Sequence, residues 1–148
     1  MTLPAFPGEI ARPFTAMAFD FGTQRIGVAY GQSLTGTAQA LPVLRARDGI
    51  PDWQEVETLL KKWQPALLVV GVPRNLDDTA TSLTLRAEKF ARRLNGRFHL
   101  PCYGIDERLS SVAAEEIIAL GTTRAAVDSV AARIILETWF SELANRPV

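Results

Sequence analysis

Residues 66–72, Ala-Leu-Leu-Val-Val-Gly-Val, form an apolar run with no polar residue to offer a solvated face. A strand of that kind has to be covered on both sides, which calls for helices above and below a sheet and favours parallel neighbours. The rest of the chain supplies those parts. Ala16 to Phe19 is a short apolar strand ending at Asp20, Gly22-Thr23-Gln24 is a turn, and Ile26 to Tyr30 returns as the second strand of a hairpin. A weaker third strand covers about Gly36 to Val43. Val56, Leu59, Leu60 and Trp63 recur at helical spacing within Pro51–Trp63. Leu83, Ala87, Phe90 and Leu94 form the apolar stripe of a helix from about Thr79 to Leu94, which Asn95-Gly96 should end. Phe98 to Ile105 reads as the next strand, and helices over about Ser110–Leu120 and Ala125–Leu143 complete the chain. This order predicts an α/β fold, a mixed five-stranded sheet flanked by helices, as one domain over 15–145. Pro4, Pro7, Gly8 and Pro13 mark residues 1–14 as a loose N-terminal extension.

Composition removes several classes of function. The single cysteine, Cys102, and single histidine, His99, exclude a disulfide framework and any site built from several such ligands. No run approaches the roughly 18 apolar residues of a membrane span. The start has no basic segment followed by an apolar core, so a secretory signal is not expected, and the chain reads as a reduced, cytoplasmic protein. Lys plus Arg and Asp plus Glu are equal at 16 each, so attraction for phosphate must come from local clustering, not net charge. One such cluster is the stripe Arg86, Lys89 and Arg93, whose bland alternative is a row of solvated stems.

The chemistry-bearing residues are acids at the ends of elements. Asp20 ends the first strand, and Asp106 and Glu107 end the last, at the edge where open α/β sheets place their sites. The first strand is expected beside the strand at 66–72, with the last strand next to that, which would bring these acids together. Asp128 heads a stripe of Ala131, Ala132, Ile135 and Trp139 that must face the sheet, and small alanines let the helix approach. A carboxylate there needs a partner, because an isolated buried charge is very costly. A divalent cation shared with Asp20 and Glu107 would supply it, since oxygens from separate elements suit Mg²⁺ or Mn²⁺. Two such ions can activate water and stabilise the leaving oxygen in phosphodiester hydrolysis. Each acid also has a structural alternative: Asp20 satisfying its turn, Asp106 capping a helix, Glu107 solvated, Asp128 complementing a helix dipole.

Four segments carry a resemblance: Ala18-Phe-Asp-Phe-Gly-Thr-Gln-Arg-Ile-Gly-Val-Ala29, Val70-Gly-Val-Pro-Arg-Asn-Leu-Asp77, Asp106-Glu-Arg-Leu-Ser-Ser111 and Val127-Asp-Ser-Val-Ala-Ala132. In order and spacing the chain resembles the YqgF/RuvX-type pre-16S rRNA nucleases, relatives of the Holliday-junction resolvases, over about Thr15 to Leu143. The resemblance implies a ribonuclease-H-like fold and a metal-dependent endonuclease maturing the 5′ end of pre-16S rRNA in ribosome biogenesis. It implies acidic metal ligands at Asp20, Asp128 and the Asp106–Glu107 pair, with Glu107 favoured within the pair, and phosphate contacts at Arg25 and Arg108. The family often has several basic residues before the last-helix aspartate, where this chain has only Arg124. Asp78 stands where a glycine is common. Phosphate grip is therefore weaker here or supplied elsewhere, with the Arg86, Lys89, Arg93 stripe as a candidate.

Rival functions stay open at this level. Asp20-Phe-Gly-Thr also resembles the first phosphate loop of actin-like ATPases, but a chain of this length has no room for their second domain. A non-cleaving RNA-binding assembly factor and a Holliday-junction DNA resolvase both remain compatible with the residues. Expected partners are structured RNA, the small-subunit precursor or branched DNA, with no membrane; the chain is monomer or homodimer. Cys102 reads as a small core residue, and Trp53, Trp63 and Trp139 as core or interface.

Overall fold

The computed structural model describes residues 3–73, 79–106 and 124–146. The strands are β1 (Thr15–Asp20), β2 (Arg25–Gln32), β3 (Thr37–Arg47), β4 (Ile50–Pro51), β5 (Leu67–Val72) and β6 (Cys102–Asp106). The helices are α1 (Trp53–Trp63), α2 (Ser82–Phe98) and α3 (Arg124–Ala144). The sheet order is β4-β3-β2-β1-β5-β6. β1 to β4 run antiparallel to one another in sequence, whereas β1–β5 and β5–β6 pair in parallel. β1 is thus the hinge between an antiparallel meander and a parallel half.

β5 behaves as its composition requires, with all six residues buried. Leu68 and Val70 join Met17, Phe19, Ile26 and Val28 beneath Val56 and Leu60 of α1 and Ala87, Phe90 and Leu94 of α2. Leu67 and Val69 join Ala16, Ala18 and Ile105 beneath Ile135, Leu136, Trp139 and Phe140 of α3. Burying such side chains contributes roughly 1.5–3 kcal/mol each, which is what holds the three layers together.

Five strands match the sequence reading in place and order, and the sixth, β4, has only two residues. It forms because Asp48 (φ 52°) and Gly49 (φ 80°) both adopt left-handed backbone, the pattern of a tight hairpin turn. Pro51, which donates no hydrogen bond, sits at this sheet edge. β3 runs four residues beyond the expected Val43.

α1 starts on the Asp52 cap, which accepts from the Gln54 amide at 2.9 Å, and stops at left-handed Gln64. α2 starts on a Thr81–Thr84 capping box, and the Thr84 hydroxyl also donates to the Pro73 carbonyl at the end of β5. Its end corrects the sequence reading: the helix runs through Asn95-Gly96 to Phe98, and His99 takes the left-handed cap (φ 57°). Asn95 instead donates from its side chain to the Leu100 carbonyl, holding the chain as it leaves the helix. β6 accordingly starts at Cys102.

The N-terminal segment, expected to be loose, is held at three points. The Pro4 carbonyl accepts from the Gly104 amide at 2.9 Å on the outer edge of β6. The Ala5 carbonyl accepts from Trp139 Nε1 at 2.8 Å, and Phe6 stacks on that indole at 5.8 Å. Its apolar residues cover a sheet edge and an aromatic ring that would otherwise meet water.

Candidate functional site

Asp20 closes β1, directly opposite Gly27 of β2 on one side and Gly71 of β5 on the other. Ala16 and Ala18 belong to the cluster under α3, so strand alternation sets Asp20 on the α3 face. Gly27 shares that face as its cross-strand partner. A Cβ at Gly27 would overlap the backbone carbonyl of Asp128, so α3 lies on β2 here without any side chain between. The Ser129 hydroxyl, donating to the Leu41 carbonyl at 2.6 Å, ties the same turn of α3 to β3. Asp20 and Asp128 therefore flank one glycine, joined by a strand pair on one side and a backbone contact on the other.

The Asp128 carboxylate has a partner in the chain. Arg25 Nε, at the start of β2, donates to Asp128 Oδ2 at 2.9 Å. Within the chain, this half-buried acid, expected to need a counter-charge, has the Arg25 guanidinium beside it. Asp128 also lies beyond the first turn of α3, which weakens the helix-dipole explanation.

Asp106 ends β6 beside Val72. Ile105 packs on the α3 side, so alternation assigns Asp106 to the opposite face, that of Cys102 and α2. Glu107 and Arg108, Asp78, the helix expected over 110–120 and the Arg124 side chain lie outside the described residues. Among the described residues no three His, Cys, Asp or Glu side chains converge closely enough to hold a metal ion. The acids that the described residues bring to the α3 face at this edge are Asp20 and Asp128.

The basic stripe of α2 reaches the same edge of the sheet on the other face. Arg86, Lys89 and Arg93 line a cleft of about 170 Å³ with Phe21, Phe90, Gly49 and Ile50. Arg86 Nη2 pairs there with Asp48 Oδ1 at 2.5 Å. Cys102 lies at the far end of β6, and burial pushes its thiol up to about 12, which disfavours the reactive thiolate near neutral pH.

Gly27 and Asp48 escaped the sequence reading. A glycine inside a strand often marks close approach of another backbone, so Gly27 carried a usable signal. Asp48 carried none, because its partner is 38 residues away.

The sheet order, the covering of both faces and the acids at the strand ends define a ribonuclease-H-like α/β domain. T. thermophilus RuvC in complex with Holliday junction substrate shares this fold, with a TM-score of 0.54 at 13% identity over 89% of this chain and 97% of that one. Residues 14–142 match the model of the RuvX family, described as Holliday junction resolvase. The chain belongs to this family. It is 54% identical over 133 residues, 86% of this chain and 96% of the relative, to a Glaesserella parasuis protein named "Putative pre-16S rRNA nuclease". A Yersinia pestis protein of the same name is 55% identical over 136 residues, 88% of this chain and 97% of its own. No helix among the described residues is long and apolar enough to cross a membrane.

Proposed function

We propose that this chain is a metal-dependent endonuclease that hydrolyses phosphodiester bonds in structured RNA, acting at the 5′ end of pre-16S rRNA in the cytoplasm. The observation that carries the reading is the pairing of Asp20 and Asp128 around Gly27 at the carboxyl edge of the sheet. Membership of the RuvX family supports nuclease chemistry, and the names of relatives more than half identical support RNA as the substrate.

Carboxylate oxygens from separate elements are the donor set that hard divalent cations prefer, so Asp20 and Asp128 fit Mg²⁺ or Mn²⁺. Glu107 is the proposed third ligand, because Asp106 falls on the other face of the sheet; this assignment rests on Asp106 and the family resemblance. A bound ion would supply an activated water and neutralise charge on the phosphate. The chain's own residues set the conditions for that. Arg25, at the start of β2, donates to Asp128 and fixes that carboxylate against the strand. If a cation were held by that carboxylate, the Arg25 guanidinium beside it would be free to contact a phosphate oxygen.

The test is cleavage of a structured pre-rRNA fragment and of a four-way DNA junction, each with Mg²⁺ and with Mn²⁺. Preferential cutting of the RNA supports the reading. Preferential cutting of the junction replaces it with a DNA resolvase, and binding of RNA without cutting by any preparation replaces it with an assembly factor.

A further inference from the structure

We propose that the cleft between α2 and the β3–β4 turn is a second phosphate site, which grips the RNA backbone on the α2 side of the sheet edge. The inference deepens the nuclease reading and rests on it for the identity of the bound chain.

Three observations carry it. The first is charge. Arg86, Lys89 and Arg93, one or two turns apart on α2, all line the cleft, and Asp48 is the one carboxylate among its described lining residues. This concentrates cations in a protein whose overall charge is balanced. Two of the three are guanidinium groups, whose forked donors match phosphate oxygens. The second is the wall. Phe21 and Phe90 are almost fully buried and form an apolar side to the cleft, which strengthens the field of the neighbouring cations. Gly49 completes the cleft with no side chain, and a Cβ there would come within 2.8 Å of the Phe21 ring.

The third is position. Phe21 follows Asp20 directly: Asp20 belongs to the α3 face, while Phe21 packs in the α2 cluster and lines the cleft. Gly49 also donates from its amide to the Thr23 carbonyl at 2.8 Å, which fixes the turn beside the β1–β2 loop. The acidic centre and the cleft thus lie back to back across one edge of the sheet. A nucleic-acid strand held by its phosphates in the cleft crosses that edge into the acidic centre. Phosphate contacts of this kind position a strand without reading its sequence.

Asp48 has a definite part in this arrangement. Its carboxylate occupies Arg86, so a phosphate has to compete for that guanidinium. Removing the carboxylate should strengthen the site, whereas removing the cations should weaken it, and loss of stability alone cannot produce both signs. Asn is well tolerated in left-handed backbone, so Asp48→Asn keeps the turn.

The experiment is binding of a fluorescent structured RNA to the full chain in EDTA, across a salt series, with a four-way DNA junction as competitor. Lys89→Gln/Arg93→Gln should weaken binding roughly tenfold at low salt. It should also lower the salt slope by about 1.4 to 1.8, as expected when two phosphates, in unpaired or paired segments, are no longer neutralised. Asp48→Asn should tighten binding several-fold. Unchanged affinity and slope in the double variant would overturn the proposal and return the stripe to a solvated face. Junction DNA that displaces the RNA from wild type but not from the double variant would overturn RNA as the occupant. Cleavage is read separately. A double variant that binds normally while wild type cuts RNA sinks the cleft and leaves the nuclease reading intact. A cleft that binds RNA as described in a protein that cuts nothing sinks the nuclease reading alone.

Discussion

Gly27 and Asp128 meet backbone to backbone: the space a Cβ would need at Gly27 is filled by the Asp128 carbonyl. Because Gly27 is also the cross-strand partner of Asp20, this one contact sets the spacing of the two acids. Gly27→Ala should force α3 off the sheet, and overpacking of this kind costs about 1–3 kcal/mol. The melting temperature should fall by roughly 2–4 °C for each kcal/mol lost. An unchanged melting temperature with full activity would show that the contact does not set the site.

The Arg25–Asp128 pair is partly exposed, and such pairs contribute at most about 1 kcal/mol. Arg25→Gln should therefore destabilise the metal-free protein only slightly. Millimolar Mn²⁺ should raise the melting temperature of wild type, and raise it further in Arg25→Gln, where no cation competes for Asp128. It should leave Asp20→Asn unmoved. Equal Mn²⁺ shifts in wild type and Asp20→Asn would place any metal binding elsewhere.

Burial raises the Cys102 thiol from an ordinary value of 9.0 to about 12. The fold therefore disfavours the thiolate. The contribution is intact below pH 9, where folded and unfolded chains both carry the neutral thiol, and is lost progressively as pH rises from 9 toward 12. Wild type should lose stability along that limb more steeply than Cys102→Ala, measured by denaturant midpoints at fixed pH. Identical slopes would show that Cys102 is not the group responsible.

Much of this was legible in the chain, and the failures share a cause. β5 could be placed from composition alone, because a strand without a polar face has few positions open to it. Asp20 and Asp128 stood out because each ends or heads an apolar pattern that fixes which way it faces. Arg25 as the counter-charge of Asp128 was not legible, since 103 residues separate them and no local period links them. Asn95-Gly96 looked like a helix stop by propensity, yet Gly96 stays helical and His99 takes the cap. The N-terminal prolines suggested a loose arm, but Phe6 and the Ala5 carbonyl find Trp139, 133 and 134 positions downstream.

Asp20 and Asp128 are proposed to hold the cation at which RNA is hydrolysed. The most direct measurement is single-turnover cleavage of a structured pre-rRNA fragment by wild type, Asp20→Asn and Asp128→Asn, with RNA binding followed separately. Asn keeps the shape of each side chain and removes the charge that retains a cation. Cleavage should fall by orders of magnitude in both variants while binding persists or tightens, because a negative charge facing the phosphates has gone. If both variants cut as fast as wild type, Asp20 and Asp128 do not form the catalytic centre.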